Sequence, residues 1–124
     1  MEPYGTDAGT LSLGTEPVIS LLPKQAMSLG MILHELATNA LKYGALSVPE
    51  GHLSISWSEV AREDGGTDIH LHWKESGGPK VSPPEGRGFG TRLIQFATEC
   101  DLRGHAELDY RPEGLVAKLT VPQL

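Results

Sequence analysis

The sequence has a single cysteine, Cys100, among 124 residues, so no disulfide can form within the chain. A reducing compartment, the cytoplasm, is the natural setting for such a protein. No apolar run approaches the roughly 18–20 residues that a membrane-spanning helix needs. Residues 1–10 lack both the basic start and the apolar stretch of a secretory signal, and residues 1–9 read as a leader or frayed end outside the folded domain. Basic residues are outnumbered: ten Lys and Arg stand against sixteen Asp and Glu, a formal net charge of −6. That balance argues against nonspecific binding to nucleic acid or to an anionic membrane, while leaving room for a local basic pocket. Internal repeats and low-complexity tracts are also missing.

What is present is the composition of one globular domain, placed at residues 10–124: 39% hydrophobic and 21% charged residues. Fifteen glycines and nine prolines predict several tight turns or a glycine-rich site. Residues 11–22 hold two short apolar stretches split by Gly14 and Pro17, read as two short strands. Pro23 opens a long helical segment over residues 24–43, and Gly44 stands where glycine commonly closes a helix. Leu53, Ile55 and Trp57 alternate with serines, and Ile69, Leu71 and Trp73 with histidines. With a polar turn over residues 63–68 between them, they predict a hairpin. Residues 76–90 read as a loop and residues 91–100 as a second helix, with Leu93, Ile94, Phe96 and Ala97 as its apolar side. Two further strands follow, the first through Ala106, Leu108 and Tyr110 and the second over residues 115–121, joined by a turn at Pro112 and Gly114. The expected architecture is an α+β two-layer sandwich, with helices on one face of a mixed, mostly antiparallel sheet.

On the first helix, Leu29, Leu33, Leu36 and Ala40 fall within an arc of about 60° and form the expected core face. Glu35, Asn39 and Lys42 share another arc of about 60°, placed on the opposite side. A carboxylate, an amide and an ammonium presented together are the groups that polarise a water, ligate Mg²⁺ through a carbonyl oxygen and contact a phosphate. The same face also fits an ordinary solvated surface. His34-Glu35 begins a zinc-protease motif, but Thr38 stands where the second histidine belongs, which removes that reading. His34 itself suits a helix-packing role as well as a catalytic one.

Two glycine-rich stretches carry the other candidate groups. Glu75, at the end of an apolar strand and followed by Gly77 and Gly78, can accept a hydrogen bond from an exocyclic amine while glycine lets a flat ring approach the backbone. A plain turn has the same composition. Gly86-Arg87-Gly88-Phe89-Gly90-Thr91 leads into the second helix, where exposed backbone N–H groups can bind phosphate. It is neither a Walker motif nor a dinucleotide fingerprint.

Taken in order, these three stretches resemble the ATP-binding catalytic domain of bacterial sensor histidine kinases. The run from His34 through Glu35, Asn39, Lys42 and Tyr43 to Ser47 resembles the N box. Trp73-Lys74-Glu75 resembles the Trp-x-Glu of the first glycine box that, with the N-box histidine, names the HWE group. Gly86 to Thr91 resembles the second glycine box. The resemblance covers roughly residues 10–122. It implies the Bergerat fold shared with gyrase-type ATPases, heat-shock chaperones and mismatch-repair ATPases, with ATP and Mg²⁺ as ligands. By that likeness Asn39 ligates Mg²⁺, Glu35 is the acid/base or water-orienting carboxylate, with His34 beside it, and Lys42 contacts phosphate. Glu75 takes the adenine amine. Tyr43, Gly77, Gly78, Arg87, Gly88, Phe89, Gly90 and Thr91 shape the nucleotide pocket and its short lid.

The phospho-acceptor histidine of such kinases sits on a helical dimerisation hairpin upstream of the ATP domain. The roughly 20 residues before the first helix contain no histidine. The acceptor and its hairpin are therefore expected as partners outside this chain, a response regulator as an indirect partner, and a monomer as the default state. A serine kinase of the anti-sigma-factor type on the same fold is a related alternative, and a degenerate docking module that no longer binds ATP is another. The chaperone-type clamp is disfavoured by the short chain.

Overall fold

The computed structural model describes residues 10–13, 21–79 and 89–123. Five strands form one sheet: β1 (Thr10–Leu13), β2 (His52–Ala61), β3 (Thr67–Ser76), β4 (His105–Arg111) and β5 (Gly114–Pro122). Their order is β1-β2-β3-β5-β4, with β1 parallel to β2 and every other neighbour antiparallel. The mixed, mostly antiparallel sheet matches expectation. Two helices, α1 (Pro23–Lys42) and α2 (Phe89–Phe96), contribute to one shared core with it. The second short strand expected before α1, and the loop over residues 80–88, lie outside the described residues.

The hairpin of β2 and β3 forms where the alternation predicts it, cleanly in β3, while in β2 Ile55 and Trp57 are only half-buried, like the serine between them. Leu53, Ile69, Leu71 and Trp73 are buried, whereas His70, His72 and Lys74 between them are exposed. Trp73 pairs with Ile55 on one side and Ala117 on the other. The small Ala117 leaves room for the indole, and Trp73 is 1% exposed. Burying a large apolar side chain of this kind contributes about 1.5–3 kcal/mol. At the hairpin end the Arg62 guanidinium donates to the carboxylates of Asp64 and Asp68, which closes the turn.

Helix α1 starts with Pro23 at its first position, where the missing N–H costs nothing. Gln25, two residues on, accepts a hydrogen bond from the Leu22 N–H at 3.3 Å and donates to the Pro122 carbonyl at 2.8 Å. One buried polar side chain thus ties the helix start to the end of β5. The buried stripe of α1 is Gln25, Ser28, Ile32, Leu36 and Ala40. This rotates the core face away from the expected Leu29 and Leu33, which are only partly buried. Asn39 stands one heptad after Ile32, about 20° from it on the helix, and Ile32 is fully buried. Asn39 therefore borders the core and is half-buried, a correction to its expected position opposite the core face. Packing against the shared core decides the angle, and leucine count alone does not.

Helix α2 begins at Phe89, two residues earlier than expected, and passes into a π-turn over Ala97–Asp101. Ile94, Ala97 and Thr98 are buried, but Phe96 is 63% exposed. Phe96 lies about 160° from Ile94 on the helix, so it could not share the inner face.

Candidate functional site

The C-terminal end of α1 meets the end of β3, and Glu75 stands at the junction. Glu75 and Trp73 are two residues apart on one strand, so both side chains point to the same face of the sheet. That face is the interior, and Glu75 is only 4% exposed. The Ala45 N–H donates to its Oε1 at 3.0 Å, and the Trp73 indole Nε1–H donates to its Oε2 at 2.9 Å. Ala45 opens a single 3₁₀ turn, Ala45–Ser47, directly after α1. The carboxylate therefore links β3 to the turn that ends the helix.

Among the described residues, no ion pair involves Glu75. A carboxylate offers about four acceptor positions, and two are filled. A buried carboxylate without a cation is unfavourable unless further donors reach it. The acceptor positions left on the carboxylate suit the exocyclic amine of a purine, which carries two hydrogens to donate.

Glycines make this close packing possible. A Cβ on Gly44 would stand 2.2 Å from Glu75 Oε1. Gly44 is thus required by the carboxylate beside it, not by a left-handed helix cap, since its φ is −108°. Gly77 does adopt a left-handed φ of +71°, and a Cβ there would meet the Glu50 carbonyl at 2.4 Å. Gly78 lies against Ala45 in the same way. The structure thus brings together Glu75, Gly77 and Gly78 with the turn after α1.

Glu35, Asn39 and Lys42 lie along one strip of α1, with Glu35 and Asn39 half-buried and Lys42 exposed. His34 is exposed and about 100° around the helix from Glu35, so the two do not share a face. Tyr43 is 71% exposed, beside the helix end. Arg87 and Gly88 lie outside the described residues. Phe89, Gly90 and Thr91 form the first turn of α2. The sequence reading did not anticipate the two donors to Glu75. The spacing Trp-x-Glu on a strand carried the signal for one of them, because it puts both side chains on one face.

Among the described residues no three His, Cys, Asp or Glu side chains gather into a metal site. A groove of about 580 Å³ lies on the outer face of the sheet, lined by Ser56, His70, His72, His105, Lys118 and Thr120 among others. It contains none of the expected site residues. There, partial desolvation within the groove, and then the nearby Lys118, Lys74 and Arg111, hold the exposed His72 imidazole below its ordinary pKa. No described helix is long and apolar enough to cross a membrane.

No family model matches the chain. It is 46% identical over 125 residues to blue-light-activated histidine kinase 1 of Erythrobacter litoralis, covering 98% of this chain and 33% of that protein. It is 36% identical over 122 residues to the blue-light-activated histidine kinase of Brucella anthropi, covering 98% of this chain and 25% of that one. The chain thus spans a quarter to a third of these relatives' length. In fold it is similar to the histidine kinase domain of the Erythrobacter litoralis EL346 kinase, with TM-score 0.68 at 14% identity, covering 94% of this chain and 55% of that one. The catalytic domain of histidine kinase ThkA gives TM-score 0.65 at 16% identity, over 94% of this chain and 78% of that one. Over nearly its whole length the chain is thus related in sequence to blue-light-activated histidine kinases of the HWE group, and it has the fold of histidine kinase catalytic domains.

Proposed function

We propose that this domain binds Mg-ATP and supplies the catalytic half of a two-component sensor kinase, passing the γ-phosphoryl to a histidine on a separate dimerisation hairpin. The observation that carries the reading is the buried carboxylate of Glu75, which has no ion-pair partner among the described residues, where the end of α1 meets the first glycine loop. In this reading Glu75 accepts from the adenine amine and the Gly77-Gly78 backbone lies along the base. The Asn39 side-chain carbonyl would hold Mg²⁺, a metal that takes few protein ligands. Mg²⁺ supplies neutralisation of phosphate charge.

The chain's own residues do the positioning. Lys42 contacts phosphate, and the Glu35 carboxylate orients the attacking imidazole and accepts its proton. His34, exposed on another side of α1, takes no part in the transfer. Arg87, Gly88, Phe89, Gly90 and Thr91 belong to the phosphate-binding glycine box of this reading, with the first N–H groups of α2 as donors. The incoming imidazole nitrogen forms the new P–N bond as the γ-phosphorus leaves ADP, and catalysis comes from alignment and charge. A response regulator then takes the phosphoryl from the hairpin. Such a kinase domain works in the cytoplasm. The histidine kinase relatives and fold neighbours favour this reading over a docking module or a serine kinase.

The test is Mg-dependent ADP binding by calorimetry, followed by phosphotransfer in trans to a hairpin from a related kinase. Ligand at one hundred times its Kd stabilises the fold by about 2.7 kcal/mol, which is easily read as a rise in Tm. Asn39→Ala is expected to weaken binding with Mg²⁺ far more than binding without it. It also lowers Tm slightly, because Asn39 is half-buried at the edge of the core. Absence of any nucleotide effect on Tm and of any heat on titration would overturn the proposal.

A further inference from the structure

We propose that Trp73 is a positioning residue for base recognition. Its indole N–H holds Glu75 Oε2 so that the carboxylate is presented in one fixed orientation, and adenine selectivity depends on that bond. The inference rests on the reading that Glu75 accepts from the adenine amine.

Three observations carry it. First, the Trp73 Nε1–H donates to Glu75 Oε2 at 2.9 Å within the interior. A buried indole N–H needs a partner, so the bond serves the tryptophan as well as the glutamate. Second, Trp73 is 1% exposed and wedged between Ile55 and Ala117 in the sheet register. A donor held this firmly fixes what it touches, which an exposed side chain could not. Third, the other oxygen is held by the Ala45 N–H at 3.0 Å, on the turn after α1. A glutamate has one more rotatable bond than an aspartate and would otherwise sample several orientations at a strand end. The two donors, one per oxygen, remove that freedom and leave about one acceptor position on each oxygen. A purine amine finds a fixed acceptor. A carbonyl at the same ring position meets a carboxylate that cannot turn away, and both acceptors are left unpaired.

The isolated domain is compared for ADP and inosine diphosphate, which differ in the base chiefly by amine against carbonyl at the recognised position. Two variants remove the indole donor: Trp73→Phe, and replacement of Trp73 with benzothienylalanine, an isostere that puts sulfur where the N–H was. Replacement with 5-fluorotryptophan keeps the N–H as the control. The isostere retains the ring volume, so the test survives if Trp73→Phe fails to fold. The wild-type and 5-fluorotryptophan proteins are expected to prefer ADP strongly. The two donor-less variants are expected to lose about tenfold in ADP affinity, the effect of one hydrogen bond to a charged group. Their inosine diphosphate affinity should stay nearly constant, so the selectivity ratio collapses. A merely structural role would lower both affinities together. A wild-type protein that binds both nucleotides equally would overturn the adenine role of Glu75 and this proposal with it. A selective wild-type protein whose isostere variant keeps the full ratio would overturn the positioning role alone and leave the Glu75 reading standing.

Discussion

Substituting Gly44→Ala tests how tightly the Glu75 carboxylate is built into the end of α1. The new Cβ would stand 2.2 Å from Glu75 Oε1 and 3.0 Å from the Ala40 Cα. The backbone at this position, φ −108° and ψ −150°, is open to any residue, so no dihedral penalty enters. The carboxylate is the movable partner, and it must leave its place. Moving it breaks the bond from the Ala45 N–H and leaves that buried donor unpaired. Loss of a hydrogen bond to a charged group costs about 1.5–3 kcal/mol. For a domain of this size each kcal/mol is worth about 3–6 °C in Tm, so the variant should melt about 5–15 °C below the parent. In a Glu75→Ala background the carboxylate clash is gone and only the 3.0 Å approach to the Ala40 Cα remains, so Gly44→Ala should cost about 1–3 kcal/mol less than in the parent. Urea denaturation of the four proteins closes a double-mutant cycle with an expected coupling of about 1–3 kcal/mol. Effects that add to within about 0.5 kcal/mol would refute the reasoning. So would a Gly44→Ala protein as stable as the parent.

Three other substitutions follow from the geometry. Gly30→Ala, on the exposed side of α1 with nothing within 4 Å of the new Cβ, should raise stability by about 0.5–1 kcal/mol through helix propensity; a loss would contradict the open environment. Gln25→Ala removes the buried bridge from Leu22 to the Pro122 carbonyl and should cost about 1–3 kcal/mol in urea, whereas a neutral effect would mean that water replaces the bridge freely. The His72 imidazole is held below its ordinary value of 6.5 by burial and then by Lys118, Lys74 and Arg111, so the unfolded chain binds its proton more readily. Its contribution is fully present above pH 6.5 and is lost as pH falls toward and through the folded value. A His72→Gln protein should therefore show a shallower fall of Tm below pH 6.5 than the parent; identical profiles would exclude His72 as a source of acid sensitivity.

Much of the fold was legible because it rests on local periodicity. The alternation of Leu53, Ile55 and Trp57, and of Ile69, Leu71 and Trp73, became the central hairpin. The run after Pro23 became α1. The order of the three motifs also carried the family, since each is a contiguous string of side chains. Angles and ends were less legible. The inner face of α1 runs through Gln25, Ser28, Ile32, Leu36 and Ala40 rather than through Leu29 and Leu33, and Asn39 consequently sits at the edge of the core. Phe96 is apolar but points outward, because its place on the turn left it no inner position.

By itself the sequence determined the element order, the inward set of the strands and the presence of Glu75, Asn39 and Glu35 as chemically apt residues. Those follow from periods of 2 and about 3.6, which act over a few residues. Only the tertiary structure decided what Glu75 touches. Its donors are an indole two residues away on the same strand and a backbone N–H thirty positions back in the chain. The second partner depends on how α1 ends against β3, and no local pattern encodes a contact between segments that meet only after the sheet has formed. The same holds for Gly44: its composition signalled a helix end, but its necessity comes from a carboxylate that folding brings beside it.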